Sequence, residues 1–260
     1  MASAMKPTIA ALGASGGCVG WALATALKDG HSCRALARNP EKLTKSLLDK
    51  GVSNELLNRN LVIVKGNAKD KNDVKSLLHI SDYKLVDKVL FGVGSSAKLQ
   101  FALNFVKFDD SKVCGSSMSA LITALEEIAR NDAANPKPQV TAISTTGISS
   151  GPRDVTLLFY PLYHWLLAVP HEDKRHMESL LRQATRQNSP KQTGISAGTI
   201  VRPSLLTDGE GESNGIMVGT EATPSVGYTI SRKDVGLWIY QNLLKEADTK
   251  WKGETITLTR

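Results

Sequence analysis

Short apolar runs alternate with longer segments of helical spacing from one end of this chain to the other. The runs are Thr8 to Leu12, Ser32 to Leu36, Leu61 to Lys65, Lys88 to Phe91, Val140 to Ser144, Gly198 to Val201 and Thr255 to Leu258. Most are apolar at odd and even positions alike, the pattern of a strand buried on both faces. Between them, helical spacing marks Gly17 to Lys28, Glu41 to Lys50, Lys71 to Leu78, Ser119 to Asn131, Asp173 to Asn188 and Arg232 to Lys245. Pro40 opens the second of these helices, and Ser231 with Asp234 forms a capping-box-like start for the last. Met177, Leu180, Leu181 and Ala184 share one face of the fifth. Such alternation predicts an α/β fold: a doubly wound parallel sheet with helices on both faces.

A length of 260 residues suits one domain spanning the whole chain. Two stretches fit the alternation poorly. Residues 147–170 carry Phe159, Tyr160, Tyr163, His164 and Trp165, and residues 206–228 are rich in Gly, Glu, Ser and Thr. Both follow strands late in the sheet, where ligands bind, and are expected to form a small substrate lobe towards the C-terminal end.

Composition excludes several classes. With 41% hydrophobic and 22% charged residues, the chain is neither disordered nor fibrous. No window reaches about 18 uninterrupted apolar residues, so no membrane span is expected. The three cysteines, Cys18, Cys33 and Cys114, lie far apart, which argues against a disulfide framework and against a metal site. A reducing, cytoplasmic compartment is the simplest expectation. The net charge of +7 favours an anionic partner. Its Lys and Arg residues are scattered, and no nucleic-acid reader motif is present, so the expected partner is a small molecule. A monomer and a dimer fit the sequence equally.

The first strand runs into Gly13-Ala14-Ser15-Gly16-Gly17-Cys18-Val19-Gly20, and a helix follows at once. Small residues there let the backbone turn tightly, and the helix start offers free N–H groups to a pyrophosphate. Gly13, Ser15, Gly16, Gly17, Cys18 and Val19 are therefore candidate cofactor contacts. The second strand is followed by Arg38, where an acidic residue would hold the ribose of NAD. A guanidinium can instead grip a 2′-phosphate with two hydrogen bonds, and Lys42 is a second positive charge. The expected cofactor is NADP(H). Gly66, Asn67 and Ala68 follow the third strand and could flank the adenine. Gly92, Val93 and Gly94 follow the fourth and could pass close to a ribose or nicotinamide. Plain turn chemistry is the alternative for both.

These pieces resemble an atypical short-chain dehydrogenase/reductase of the NmrA-like, NAD(P)H-binding type, similar in layout to flavin and biliverdin reductases. The matching segments are GASGGCVG at 13–20, ALARNPEKL at 35–43, KGNAKD at 65–70, AISTTG at 142–147, EDKRHMESLL at 172–181, TIVRPSLLTDG at 199–209 and TISRKDVG at 229–236. They keep their order over nearly the whole chain. The resemblance implies a Rossmann-type sheet. It sets Ser144 and Thr145 facing the nicotinamide, Lys174 at the place of a ribose-binding lysine, and Pro203 and Ser204 beside the nicotinamide. Two features depart from the pattern. The third glycine of the loop is displaced to Gly20, leaving Val19, and the acidic residue expected after the third strand is Asn67.

On chemistry the residues say less. No YxxxK pair exists, because the residue four before Lys174 is Pro170. The remaining catalytic candidates are Ser144 and Thr145, whose hydroxyls could bond a substrate carbonyl, with His171 and Lys174 near one helix start. Strand-end capping, an exposed histidine and a pairing of Lys174 with Glu178 are the plainer alternatives. Tyr160, Tyr163, His164 and Leu205 are candidate substrate contacts, or the core of a lobe. Hydride transfer needs mostly positioning, so an NADPH-dependent reductase of a small conjugated or aromatic carbonyl-type molecule is the first expectation. A non-catalytic NADP(H)-binding sensor, and a non-redox isomerase or cyclase, are the alternatives.

Overall fold

A computed structural model describes residues 6–81, 84–94, 97–100, 105–108, 110–131, 136–156, 168–186, 193–211, 215–246 and 249–260. In its first half the elements run β1 (Ile9–Leu12), α1 (Gly17–Lys28), β2 (Cys33–Ala37), α2 (Pro40–Asp49), α3 (Asn54–Asn60), β3 (Leu61–Lys65) and α4 (Lys71–Leu78). Next come β4 (His79–Ser81), β5 (Lys84–Leu85), β6 (Lys88–Phe91), β7 (Ala97–Gln100), β8 (Phe105–Phe108), α5 (Val113–Asn131) and β9 (Gln139–Ile143). The chain then forms α6 (Ala168–Ala184), β10 (Ala197–Pro203), β11 (Leu205–Thr207), β12 (Met217–Thr220), β13 (Thr229–Ser231), α7 (Arg232–Ile239) and β14 (Thr255–Thr259).

Eight strands make the main sheet, in the order β12-β14-β10-β9-β6-β1-β2-β3. Every neighbouring pair is parallel except β12, which lies antiparallel on β14. From β1 the chain winds out through β2 to β3, then returns to β6 on the other side of β1. The order therefore reverses between β1 and β6, and a crevice opens there at the carboxyl ends of the strands.

The apolar runs are explained by this burial. Ile9 and Ala11 face a core shared with α1, α2, α3 and α7, while Ala10 and Leu12 face one shared with α4, α5 and α6. Both faces of a central strand are dry, so both sets of positions must be apolar. Met177, Leu181 and Ala184 are buried in the second core, as their shared face predicts.

Four features depart from the sequence-based expectations. Helix α5 begins at Val113, six residues before Ser119, through a segment rich in Gly and Ser. Its start is secured from outside: the Asp173 carboxylate accepts hydrogen bonds from the N–H groups of Cys114 at 2.7 Å and Gly115 at 2.8 Å. Helix α6 begins at Ala168 rather than Asp173 and includes Pro170 in its first turn, where proline is tolerated. The last helix ends as a π-helical turn over Tyr240–Leu244. The stretch 206–228 contributes β12 to the main sheet, so the sheet is mixed at that edge. The short helix α3 and the pairs β4–β5, β7–β8 and β11–β13 carry no long-range sequence pattern. Among the described residues no helix is long and apolar enough to cross a membrane.

Candidate functional site

The loop after β1 and the loop after β6 meet at the crevice, backbone to backbone. Gly13 has φ +80°, and a Cβ on it would lie 2.5 Å from the Gly92 carbonyl oxygen. Gly92 in turn donates to the Leu12 carbonyl at 3.0 Å and packs under the Val19 side chain. Only glycine satisfies both constraints at position 13. At Gly94 a Cβ would meet no other group of the described residues, so packing within the protein does not require glycine there.

Gly16 is extended and precedes α1 without a side chain to cap it. Helices α2, α3, α4 and α7 are capped by Asn39, Ser53, Asp70 and Ser231. The first amides of α1 thus have neither intrahelical acceptors nor a capping oxygen, and they open beside exposed Ser15 and Gly16. The side chains of Cys18 and Val19 are buried in the core, so only their backbone is available to a ligand. Burial pushes the Cys18 thiol up to about 12, against the pull of Arg232 and Lys174. Those two cations therefore both act on the start of α1. Burial likewise raises Cys33 to about 12 and Cys114 to about 11, so none of these thiols is a nucleophile at neutral pH.

Arg38 stands exposed at the end of β2, and Lys42 is exposed in the first turn of α2. The Asn39 side chain accepts from Lys42 N at 3.0 Å and so fixes the turn between them. Gly66 donates to the Ala37 carbonyl at 3.1 Å, tying the third strand end to the second. Asn67 donates from its backbone to Asp73 at 2.8 Å, and its side-chain oxygen accepts from Lys69 N at 3.1 Å. A carboxylate therefore does lie beside position 67, that of Asp73 from α4. Ala68 packs against the second core.

On the other side of the crevice, β9 and β10 end side by side. Ser144 N donates to Val201 O at 2.7 Å, Thr146 N to Pro203 O at 3.1 Å, and Ser204 N to Leu258 O at 2.9 Å. The hydroxyls of Ser144 and Ser204 are both buried without a hydrogen-bond partner. Thr145 is half-buried and Leu205 is exposed. Lys174 reaches from α6 into the same corner and donates to Ile143 O at 2.8 Å and Val93 O at 3.3 Å. It does not pair with Glu178, which accepts two hydrogen bonds from Arg202, at 2.9 and 2.6 Å. His171 is buried inside the first turns of α6 and is engaged there, not an exposed histidine. Tyr160, Tyr163 and His164 lie outside the described residues.

Several residues of the site carry no signal in the sequence pattern. Asp154 is buried and accepts from the Gly147 N–H at 3.0 Å, which fixes the turn after β9 where Gly147 has φ +82°. Its second oxygen has no partner, and burial raises its pKa above the ordinary carboxylate value. Arg232, the first residue of α7, lays its aliphatic stem over Gly17 so closely that a Cβ there would collide with it. The segment TISRKDVG marks this helix start, but not that its arginine meets α1. Among the described residues no group of three or more potential ligands could hold a metal.

The uncapped α1 start, the side-chain-free floor and the unpartnered hydroxyls fit a dinucleotide laid across the carboxyl edge of the sheet. Comparison with known proteins agrees. Residues 13–246 match the family described as NAD(P)H-binding. A protein of Aspergillus terreus named Reductase pytE is 39% identical over 266 residues, covering 99% of this chain and 99% of the relative. One of Aspergillus niger named Oxidase pynE is 36% identical over 284 residues, covering 98% and 99%. Among solved structures, a short-chain dehydrogenase/reductase from Veillonella parvula in complex with NADP superposes with a TM-score of 0.67 at 16% identity, covering 98% of this chain and 95% of that one. A Rossmann-fold NAD(P)-binding protein from Shigella flexneri gives 0.61 at 16% identity, covering 98% and 93%. This chain belongs to the NAD(P)H-binding family and has a Rossmann-type fold.

Proposed function

We propose that this NAD(P)-dependent oxidoreductase works as an NADPH-dependent reductase of a small conjugated or aromatic carbonyl compound. The observation that carries the proposal is the Ser144 hydroxyl, buried and unpartnered at the end of β9 beside Lys174. A buried hydroxyl without a partner costs free energy, and a substrate carbonyl oxygen is an acceptor that would relieve the cost. NADPH supplies a hydride when bound. The chain's own residues do the positioning. The first amides of α1 receive the pyrophosphate, and Arg38 with Lys42 receives the 2′-phosphate. Lys174 joins the ends of β6 and β9 through Val93 O and Ile143 O, and holds the wall on which Ser144 stands. Without a tyrosine in YxxxK, the proton comes from water or from a hydroxyl in this corner.

The apolar character of the substrate is supported by the surface around the end of β14. Leu205, Met217, Val226 and Tyr228 are exposed; Met217 pairs with Thr259 in β14 and the Tyr228 N–H donates to the Arg260 carbonyl just beyond it, at 3.2 Å. Two relatives with reductase and oxidase names support redox turnover over a sensor.

The test is a thermal-shift titration with NADPH and NADH on wild type and Arg38→Ala, followed by NADPH oxidation at 340 nm against quinones, flavins and enones. Wild type is expected to bind NADPH more tightly than NADH. Arg38→Ala should lose about 10- to 100-fold of NADPH affinity while NADH binding stays unchanged, as removal of charge-assisted hydrogen bonds dictates. Equal affinity of wild type for both nucleotides overturns the NADPH preference. Binding without any oxidation across the substrate panel favours the sensor reading.

A further inference from the structure

We infer that Arg232 is a pyrophosphate-binding side chain of the nucleotide site, and that Asp208 competes with the nucleotide for it. This rests on the family's cofactor, whichever nucleotide the 2′-phosphate side prefers.

The geometry comes from three elements that meet at the start of α1. Arg232 opens α7, directly after the cap in which Ser231 Oγ accepts from Asp234 N at 2.9 Å. The helices α1 and α7 cross closely: a Cβ on Gly236 would lie 2.6 Å from Cys18 O and 2.6 Å from Trp21 Cβ. This crossing brings the first residue of α7 over the first residue of α1. The Cβ, Cγ and Cδ atoms of Arg232 then pass across Gly17, at the place a side chain would fill. Gly17 is therefore glycine for the sake of Arg232 as well as for the phosphate turn. The charge of Arg232 is felt at Cys18, the second residue of α1.

The Arg232 side chain as a whole is one-third exposed. Its Nη1 donates to Asp208 Oδ1 at 2.7 Å and lies 3.4 Å from the Leu206 carbonyl oxygen. Asp208 is 87% exposed and pairs with Arg232. The next acidic residue, Glu210, pairs with Lys233 at 3.2 Å and is 98% exposed. Both carboxylates of this loop are thus held at the start of α7 by neighbouring cations and by little else. A guanidinium beside the uncapped amides of α1 adds a side-chain cation to a cradle otherwise made of peptide groups, and a planar fork suits two phosphate oxygens. A pyrophosphate in that cradle and the Asp208 carboxylate seek the same N–H groups and repel one another. An exposed ion pair is a weak rival, of the size that tunes affinity without abolishing it.

The test measures dissociation constants by isothermal titration for wild type, Arg232→Met, Asp208→Asn and the double variant. Arg232→Met keeps an aliphatic stem over Gly17 and removes the charge. The probes are NADP+ and NAD+, the tighter of the two on wild type being decisive, and adenosine 2′-monophosphate, which lacks a pyrophosphate. Arg232→Met is expected to weaken dinucleotide binding about tenfold. It should leave adenosine 2′-monophosphate within twofold of wild type. Asp208→Asn is expected to tighten dinucleotide binding about two- to fivefold, and that gain should vanish in the double variant. The inference is overturned if Arg232→Met binds the dinucleotide as wild type does, if it weakens both classes of probe equally, or if Asp208→Asn fails to tighten binding. Should Arg232→Met not fold, judged by its thermal transition without nucleotide, Asp208→Asn decides alone. Failure of the Arg38 reading alone shows as wild type that does not bind adenosine 2′-monophosphate, and the dinucleotide measurements on the three variants then decide.

Discussion

At the residue scale, Asp154 shows how a buried charge is tolerated for the sake of a turn. Its carboxylate holds Gly147 in place, while the second oxygen lacks a partner and desolvation raises its pKa. The native state therefore binds this proton more tightly than the unfolded chain does. Stability contributed at this position is highest below the ordinary aspartate value and falls as pH climbs through the raised one. Asp154→Asn keeps an oxygen for the Gly147 N–H and removes the titration. Urea denaturation from pH 4 to pH 8 is expected to show the variant gaining on wild type as pH rises, then running parallel. A constant difference over that range would place the proton elsewhere.

At the element scale, α6 is joined to β10 by the ion pair of Glu178 and Arg202, each about 95% buried. Arg182 from the next turn and Glu221 after β12 extend it, with Arg202 3.3 Å and Arg182 2.8 Å from Glu221. Glu178→Ala leaves the Arg202 guanidinium buried without its two-point partner. The expected loss is about 3–5 kcal/mol of unfolding free energy, measurable by urea denaturation. Arg182→Ala, at an exposed position, should cost less than about 1 kcal/mol.

The same scale shows what could be read in advance. Strand β3 and helices α1 and α4 keep their expected bounds, and the other main-sheet parallel strands shift by at most a residue or two. Their signals are local: a continuous apolar run, a proline at a helix start, a serine cap. The early starts of α5 and α6 were hidden, since the cap of α5 is Asp173, distant in sequence and near only in space. In the candidate site, the glycine loop was legible as a turn that feeds α1, because its neighbours in sequence are its neighbours in space. The contact of Arg232 with Gly17 was not, because it arises only through the crossing of the first and last helices. Asp154 was hidden for a similar reason: the turn it holds gives no periodic signal.

At the scale of the whole molecule, the two cores are divided by one sheet but tied across its ends. Helix α7, late in the chain, packs on α1, and β14 lies between β10 and β12. Unfolding is therefore expected as one cooperative transition, and nucleotide should move it without splitting it. At about 100 times its dissociation constant, NADPH should add roughly 2.7 kcal/mol of unfolding free energy. Calorimetry with and without nucleotide checks both points, and two resolved transitions would show that the halves flanking the crevice melt separately.

The contact of Gly13 with Gly92 has a consequence for how such a protein changes over evolutionary time. The floor of the crevice is peptide backbone, whose hydrogen-bonding groups are the same in every residue but proline. In the proposed reading, substitutions that keep the glycines alter the site's chemistry at its walls, where the candidates Arg38, Ser144 and Arg232 stand. Nucleotide preference and substrate can therefore be rewritten one side chain at a time while the ability to seat a dinucleotide persists. A lineage built on this loop keeps its platform only while Gly13 and Gly92 stay glycine, but leaves the walls around it free to change.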